Sequence, residues 1–109
     1  MVIKTNNPQY CGGVLVAIVD VANVADVIKV FSGPCLYVGA IMEAGAATTL
    51  LSVYDKADAP IDASRRKPGV KAAGGGYDGF TIAMEMEQGI IATLDALDGI
   101  AWIFYVPAA

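Results

Sequence analysis

Histidine is absent from the 109 residues, and cysteine occurs twice, as Cys11 and Cys35. Without imidazole, Ser-His and Cys-His nucleophile pairs cannot be built, and nearly all mixed-ligand zinc sites are removed. Two thiols are too few for a four-thiolate metal site or a disulfide framework. Whether they bridge each other stays open, because sequence does not give their separation. A thiol enzyme needs an activating base, and neither cysteine has one near it in the chain.

The carboxylates fare no better. Glu85 and Glu87 fall on one face of an alternating segment and read as its wet side, not as an acid–base pair. Asp95 and Asp98, with Asp20 or Asp26, lack the dense oxygen spacing of a calcium loop, and Asp98-Gly99 is turn chemistry. Gly74-Gly75-Gly76-Tyr77 could cradle a phosphate, but a P-loop closes on Lys-Ser/Thr and opens a helix, whereas this run opens a strand. Arg65, Arg66 and Lys67, with Lys71, form the one concentrated positive patch in a chain of net charge −4. They are either a solvated loop or a docking patch for an acidic surface on a partner, since arginine binds carboxylates bidentately. These residues indicate a protein that is not an enzyme and that needs no metal or cofactor.

The elements that must position them are strands. Phe80-Thr-Ile-Ala-Met-Glu-Met-Glu87 alternates strictly, placing Phe80, Ile82, Met84 and Met86 on one face. Further strands are expected over 14–21, 24–31, 35–43, 48–54, 90–94 and 100–106, with a short helix over 20–30 as the alternative to the second. Within 35–43, Leu36, Val38, Ala40 and Met42 share one face. Ser32-Gly33-Pro34, Ala44-Gly45-Ala46 and Gln88-Gly89 are turns. Residues 55–76 read as a long loop with a weak strand around Val70, and residues 1–13 as a polar N-terminal arm. The pattern predicts an all-β fold. It is a small β-sandwich or jelly-roll-like barrel of six to eight short antiparallel strands, one domain over 14–109.

Ile100-Ala-Trp-Ile-Phe-Tyr-Val106 has no polar face. Trp102 and Phe104 point one way, Ile103 and Tyr105 the other, so both sides of the strand seek cover. Trp102, Ile103, Phe104 and Tyr105 are therefore the candidate oligomer interface. Trp102 and Tyr105 could also form a ligand platform, though packing is the commoner use of such residues. The composition agrees with self-association. Hydrophobic residues make up 56% and charged residues 17%, against a usual ~25% charged. The acidic balance argues against nucleic acid as the partner. The longest apolar run, Val14 to Val19, is cut by Asp20, far short of the ~20 residues of a spanning helix. The polar start reads as a chain without a signal peptide, made in the cytoplasm.

From about Phe31 to Val106 the chain resembles small all-β virion proteins of tailed bacteriophages and prophages. The carriers are Ser32-Gly33-Pro34-Cys35-Leu36-Tyr37, then Leu50-Leu-Ser-Val-Tyr-Asp-Lys-Ala-Asp-Ala-Pro60. Gly75-Gly76-Tyr77 before a Phe-containing strand, and Gly89-Ile90, complete the set. The chain departs from that pattern where Val38 separates Leu36-Tyr37 from Gly39, and in the alanine-rich strand that follows. The resemblance implies a non-enzymatic structural protein that decorates or cements a capsid from a host-cytoplasmic origin. Its expected partners are itself, as a symmetric oligomer with a trimer expected, and the major capsid protein or another virion protein. A carbohydrate- or cell-surface-binding module of a head fibre or tail is the competing expectation. No active residues carry over.

Overall fold

Period-two alternation organises this chain. The computed structural model describes residues 13–108, which form eight strands, one short 3-10 turn (Ala63–Arg65) and no α-helix. The strands are β1 (Leu15–Val19), β2 (Ile28–Ser32), β3 (Cys35–Glu43), β4 (Thr49–Tyr54), β5 (Arg66–Ala72), β6 (Tyr77–Met86), β7 (Gly89–Leu94) and β8 (Ile100–Pro107). They make two four-stranded sheets, β1-β8-β3-β6 and β2-β7-β4-β5, in which every described pairing is antiparallel. We call them sheet A and sheet B. The fold is a β-sandwich, and its core is the layer between the sheets. Tyr37, Met42 and Ile103 from sheet A and Leu51, Ile90 and Leu94 from sheet B are fully buried there.

Two internal contacts tie the sheets together. The Tyr37 hydroxyl donates to the Pro68 carbonyl of β5 at 2.9 Å, and its ring meets Phe80 edge-on with centroids 6.0 Å apart. Burial raises the phenol's pKa above its ordinary value, so the hydroxyl stays a donor. Phe31 of β2 and Tyr105 of β8 meet at 5.5 Å near the other flank.

The Phe80 segment behaves as its pattern indicates: Phe80, Ile82 and Met84 pack against the core and Met86 is within it. Its strand starts earlier, at Tyr77, because Glu43, Met42 and Ile41 supply partners for Tyr77, Asp78 and Gly79. On β3 the expected single face is corrected. Cys35 and Tyr37 point inward, the register shifts between Tyr37 and Gly39, and Ala40 and Met42 continue the inward row. A β-bulge therefore moves Leu36 and Val38 to the other side. Gly39 suits that position, since a Cβ there would collide with the Phe80 carbonyl oxygen.

Two further expectations change. The segment 24–31 is neither a full strand nor a helix: Asp26 accepts from the amides of Ala22 (3.2 Å) and Asn23 (3.0 Å), closing a turn before β2 begins at Ile28. The expected loop 55–76 contains β5, seven residues paired with β4. That strand includes the weak one expected around Val70 and is longer than Pro68 and Gly69 suggest, since an edge strand tolerates proline because one side needs no donor. Of the expected arm, residues 1–12 lie outside the described residues, Cys11 among them.

Candidate functional site

Side chains on the outward rows of the two sheets meet different fates. On sheet A the outward row of β1 carries Val16 and Ile18, paired with Phe104 and Trp102 of β8. Ile41 of β3 sits opposite Trp102 on the other side, and Gly39 opposite Phe104. Val16, Ile18 and Ile41 are 52%, 62% and 41% exposed, and Trp102, Phe104 and Val38 are half-buried. No charged side chain lies among these residues; Glu43 and Glu85 stand at the margins of the surface, and Asp78 lines the groove beside it. Toward β6 it dips into a groove of about 610 Å³, lined by Val14, Val38, Ile41, Tyr77, Gly79 and Phe104 among others. Gly79 helps to make the groove, because a Cβ there would meet the Ala40 carbonyl oxygen at 2.8 Å. At its rim the exposed Tyr77 phenol is hydrogen-bonded to Glu43, which holds its pKa above the ordinary value.

Ile103 and Tyr105, grouped with Trp102 and Phe104 from sequence, turn the other way. Ile103 is a core residue and Tyr105 packs against the core, so Trp102 and Phe104 alone belong to the exposed face. Residues that sequence reasoning missed complete it: Val16, Ile18, Val38 and Ile41. The β1 partners were legible as an apolar run, but only strand order could place them beside Trp102.

The basic patch is divided. Arg65 donates through Nε to the Asp55 carbonyl at 2.8 Å and approaches its carboxylate at 3.4 Å, so its charge is engaged within the fold. Arg66 reaches the Ser52 hydroxyl at 3.4 Å. Lys67 is half-buried, whereas Arg66 and Lys71 are exposed along β5, an edge of sheet B.

The carboxylates serve as turn clamps. Asp55 is buried and accepts from the amides of Glu87 (3.0 Å), Gln88 (2.8 Å) and Gly89 (3.3 Å), binding the β6–β7 turn to the end of β4. Asp95 accepts from the Leu50 amide at 2.7 Å, and Asp98 from the Ala47 amide at 3.1 Å and the Thr49 hydroxyl at 3.3 Å. Among the described residues, no group of three or more metal-ligating side chains converges. Gly74-Gly75-Gly76 makes the β5–β6 turn: Gly75 has φ +74°, and the Gly76 amide returns to the Ala73 carbonyl at 3.1 Å. Cys35 is fully buried, and burial, then the Asp55 charge, pushes its thiol up to about 11. A thiol that reluctant to ionise is a poor nucleophile.

Comparison with known protein families, characterised proteins and solved structures finds no match to this chain. What this site can do is bury apolar surface against another surface, because it offers a broad sheet face and no reacting group.

Proposed function

We propose that this chain is a non-enzymatic structural protein that forms a symmetric homo-oligomer and decorates or cements a larger shell. The sequence resemblance points to the capsid of a tailed phage as that shell. The observation that carries this reading is the uncovered face of sheet A, where Val16, Ile18, Val38, Ile41, Trp102 and Phe104 adjoin with no charge among them. A face of this kind in a chain with 17% charged residues is suited to permanent contact rather than to solvent. Arg66 and Lys71 on the far edge give such an oligomer a cationic strip for an acidic shell surface. Repeating weak contacts across a shell then multiply through avidity.

Light scattering of the purified protein across a dilution series tests the oligomer. The expected result is a mass that is a whole multiple of the 11.3 kDa chain, falling only at high dilution; a monomer throughout overturns the reading. Reversing the charges of Arg66 and Lys71 then tests the shell contact, with unchanged binding to capsids counting against it.

One observation favours a second reading. Tyr77 is exposed at the groove rim, flanked by Glu43 and Asp78, an arrangement that could stack a sugar ring and bind its hydroxyls. Quenching of Trp102 fluorescence by a glycan, with a monomeric mass, would place the chain among carbohydrate-binding modules of a fibre or tail.

A further inference from the structure

We infer that a second copy of this chain joins at the edge of β1 that no other described strand pairs with, the two β1 strands pairing antiparallel so that sheet A continues into an eight-stranded sheet. This rests on the self-association reading and names the edge it uses.

The four sheet edges differ in how they are protected. Free backbone N–H and C=O groups template pairing, and natural edges resist it with charges, prolines and irregular register. The β6 edge carries Asp78 and Glu85, with Glu87 just beyond. The β5 edge carries Arg66, Lys67, Pro68 and Lys71. The β2 edge carries Lys29 and a register shift between Lys29 and Phe31. β1 has none of these: Leu15-Val-Ala-Ile-Val19 is wholly aliphatic and keeps regular register with β8 along its five residues. Among the described residues β8 is its only hydrogen-bonded neighbour.

The core is also open on this flank. Leu15 lies on the inward row with Ala17 and Val19 and pairs with Tyr105, yet it is 47% exposed. Another strand laid beside β1 closes that opening. It also extends the exposed outward row, which Val16 and Ile18 already share with Trp102 and Phe104.

A strand from the same chain fits because the pairing is self-complementary. Antiparallel addition of a strand to its own copy is closed by a twofold axis. Centred on Ala17, it sets Val16 against Ile18 of the partner subunit and Leu15 against the partner's Val19. The first charge, Asp20, then faces the partner's Val14 and not its own copy, so no like charges oppose. The face of one sheet, roughly 19 Å across its four strands and ~26 Å along β8 in projection, falls short of the ~800 Å² each partner gives a stable interface. The edge adds backbone hydrogen bonds and doubles the width of the apolar face. A twofold also makes the assembled number even, where the resemblance led to a trimer.

The test is residue-resolved amide hydrogen exchange on the intact protein, at concentrations spanning dissociation as judged by light scattering. The expected result is an even-numbered oligomer in which all amides of Leu15–Val19 are protected, alternate ones losing protection on dilution to monomer. An oligomer whose alternate β1 amides exchange freely at every concentration overturns the edge while leaving self-association standing. A monomer at every concentration overturns both. As a second arm, Ile18→Lys restores the missing edge charge at an exposed position. It is expected to weaken association at least about 30-fold with unchanged circular dichroism, and an undiminished oligomer counts against the edge.

Discussion

The outer faces of the two sheets start from similar material and end in opposite states. On sheet B, Tyr54 and Ile91 lie on the outward side, apart from the core cluster, yet are only 6% and 0% exposed. On this side the segment between β4 and β5 reaches across to β2 as a strap. Asp58 bridges Lys29 of β2 at 3.2 Å, the Ala57 carbonyl accepts from Ser32 at 3.3 Å, and Arg65 brings the chain back to Asp55. Ile91 stands in register between Lys29 and Tyr54, on the strand between the two that this strap links. On sheet A the matching outward isoleucine, Ile18, is 62% exposed. One face has been covered from within the chain, and the other is left for something else to cover. The difference teaches that much of the exposed apolar surface gathers on sheet A, while Val24, Ile61 and Leu97 are exposed in loops elsewhere.

A matched pair of substitutions breaks this comparison most sharply. Ile91→Lys places a charge where no solvent reaches, and a loss of about 5 kcal/mol, or failure to fold, is expected in denaturant unfolding. Asp55→Ala releases the strap at its anchor and leaves Arg65 and the amides of the β6–β7 turn without their acceptor. A loss of about 3–5 kcal/mol is expected by the same measurement. If Asp55→Ala is silent, the strap is decoration and the two faces differ for another reason.

The core beneath both faces responds to alkali. Cys35 has a folded pKa of about 11 against an ordinary 9.0, so the unfolded state ionises first as pH rises. Its contribution is intact below about pH 9 and is lost as pH climbs through 11, by roughly 2–3 kcal/mol in all. Unfolding free energy measured from pH 8 to 11 should fall accordingly, and a flat profile would contradict the burial of the thiol. The smallest stability effect belongs to the open face. Ile18→Lys should shift the unfolding free energy of the monomer by no more than about 0.5 kcal/mol, even as native mass drops.

Much of this was legible because strands announce themselves by alternation. Cys35 to Glu43 and the closing strand could be bounded closely from residue type, and Phe80 to Met86 was recognisable although β6 starts at Tyr77. What escaped had non-local causes. The strand around Val70 is read as weak because of Pro68-Gly69, and its full seven-residue extent exists because β4 offers it a partner. The phase change in β3 depends on a bulge that only neighbouring strands define. Arg65 looked like part of a docking patch, and only the fold shows its guanidinium turned to Asp55. Asp55 itself was read as the start of a loop, since nothing local marks a carboxylate that will cap a turn more than thirty residues away.

By itself, the sequence determined an all-β fold without histidine chemistry and with an apolar composition of 56% hydrophobic residues. Those properties follow from composition and from a period of two, both of which are local. The tertiary structure decided which apolar residues are hidden. Alternation assigns a residue to one side of its strand, but strand order and the path of the 55–65 segment determine which side is covered. That is why Trp102 and Ile103, adjacent in an unbroken apolar run, part company, one to the exposed face and the other to the core.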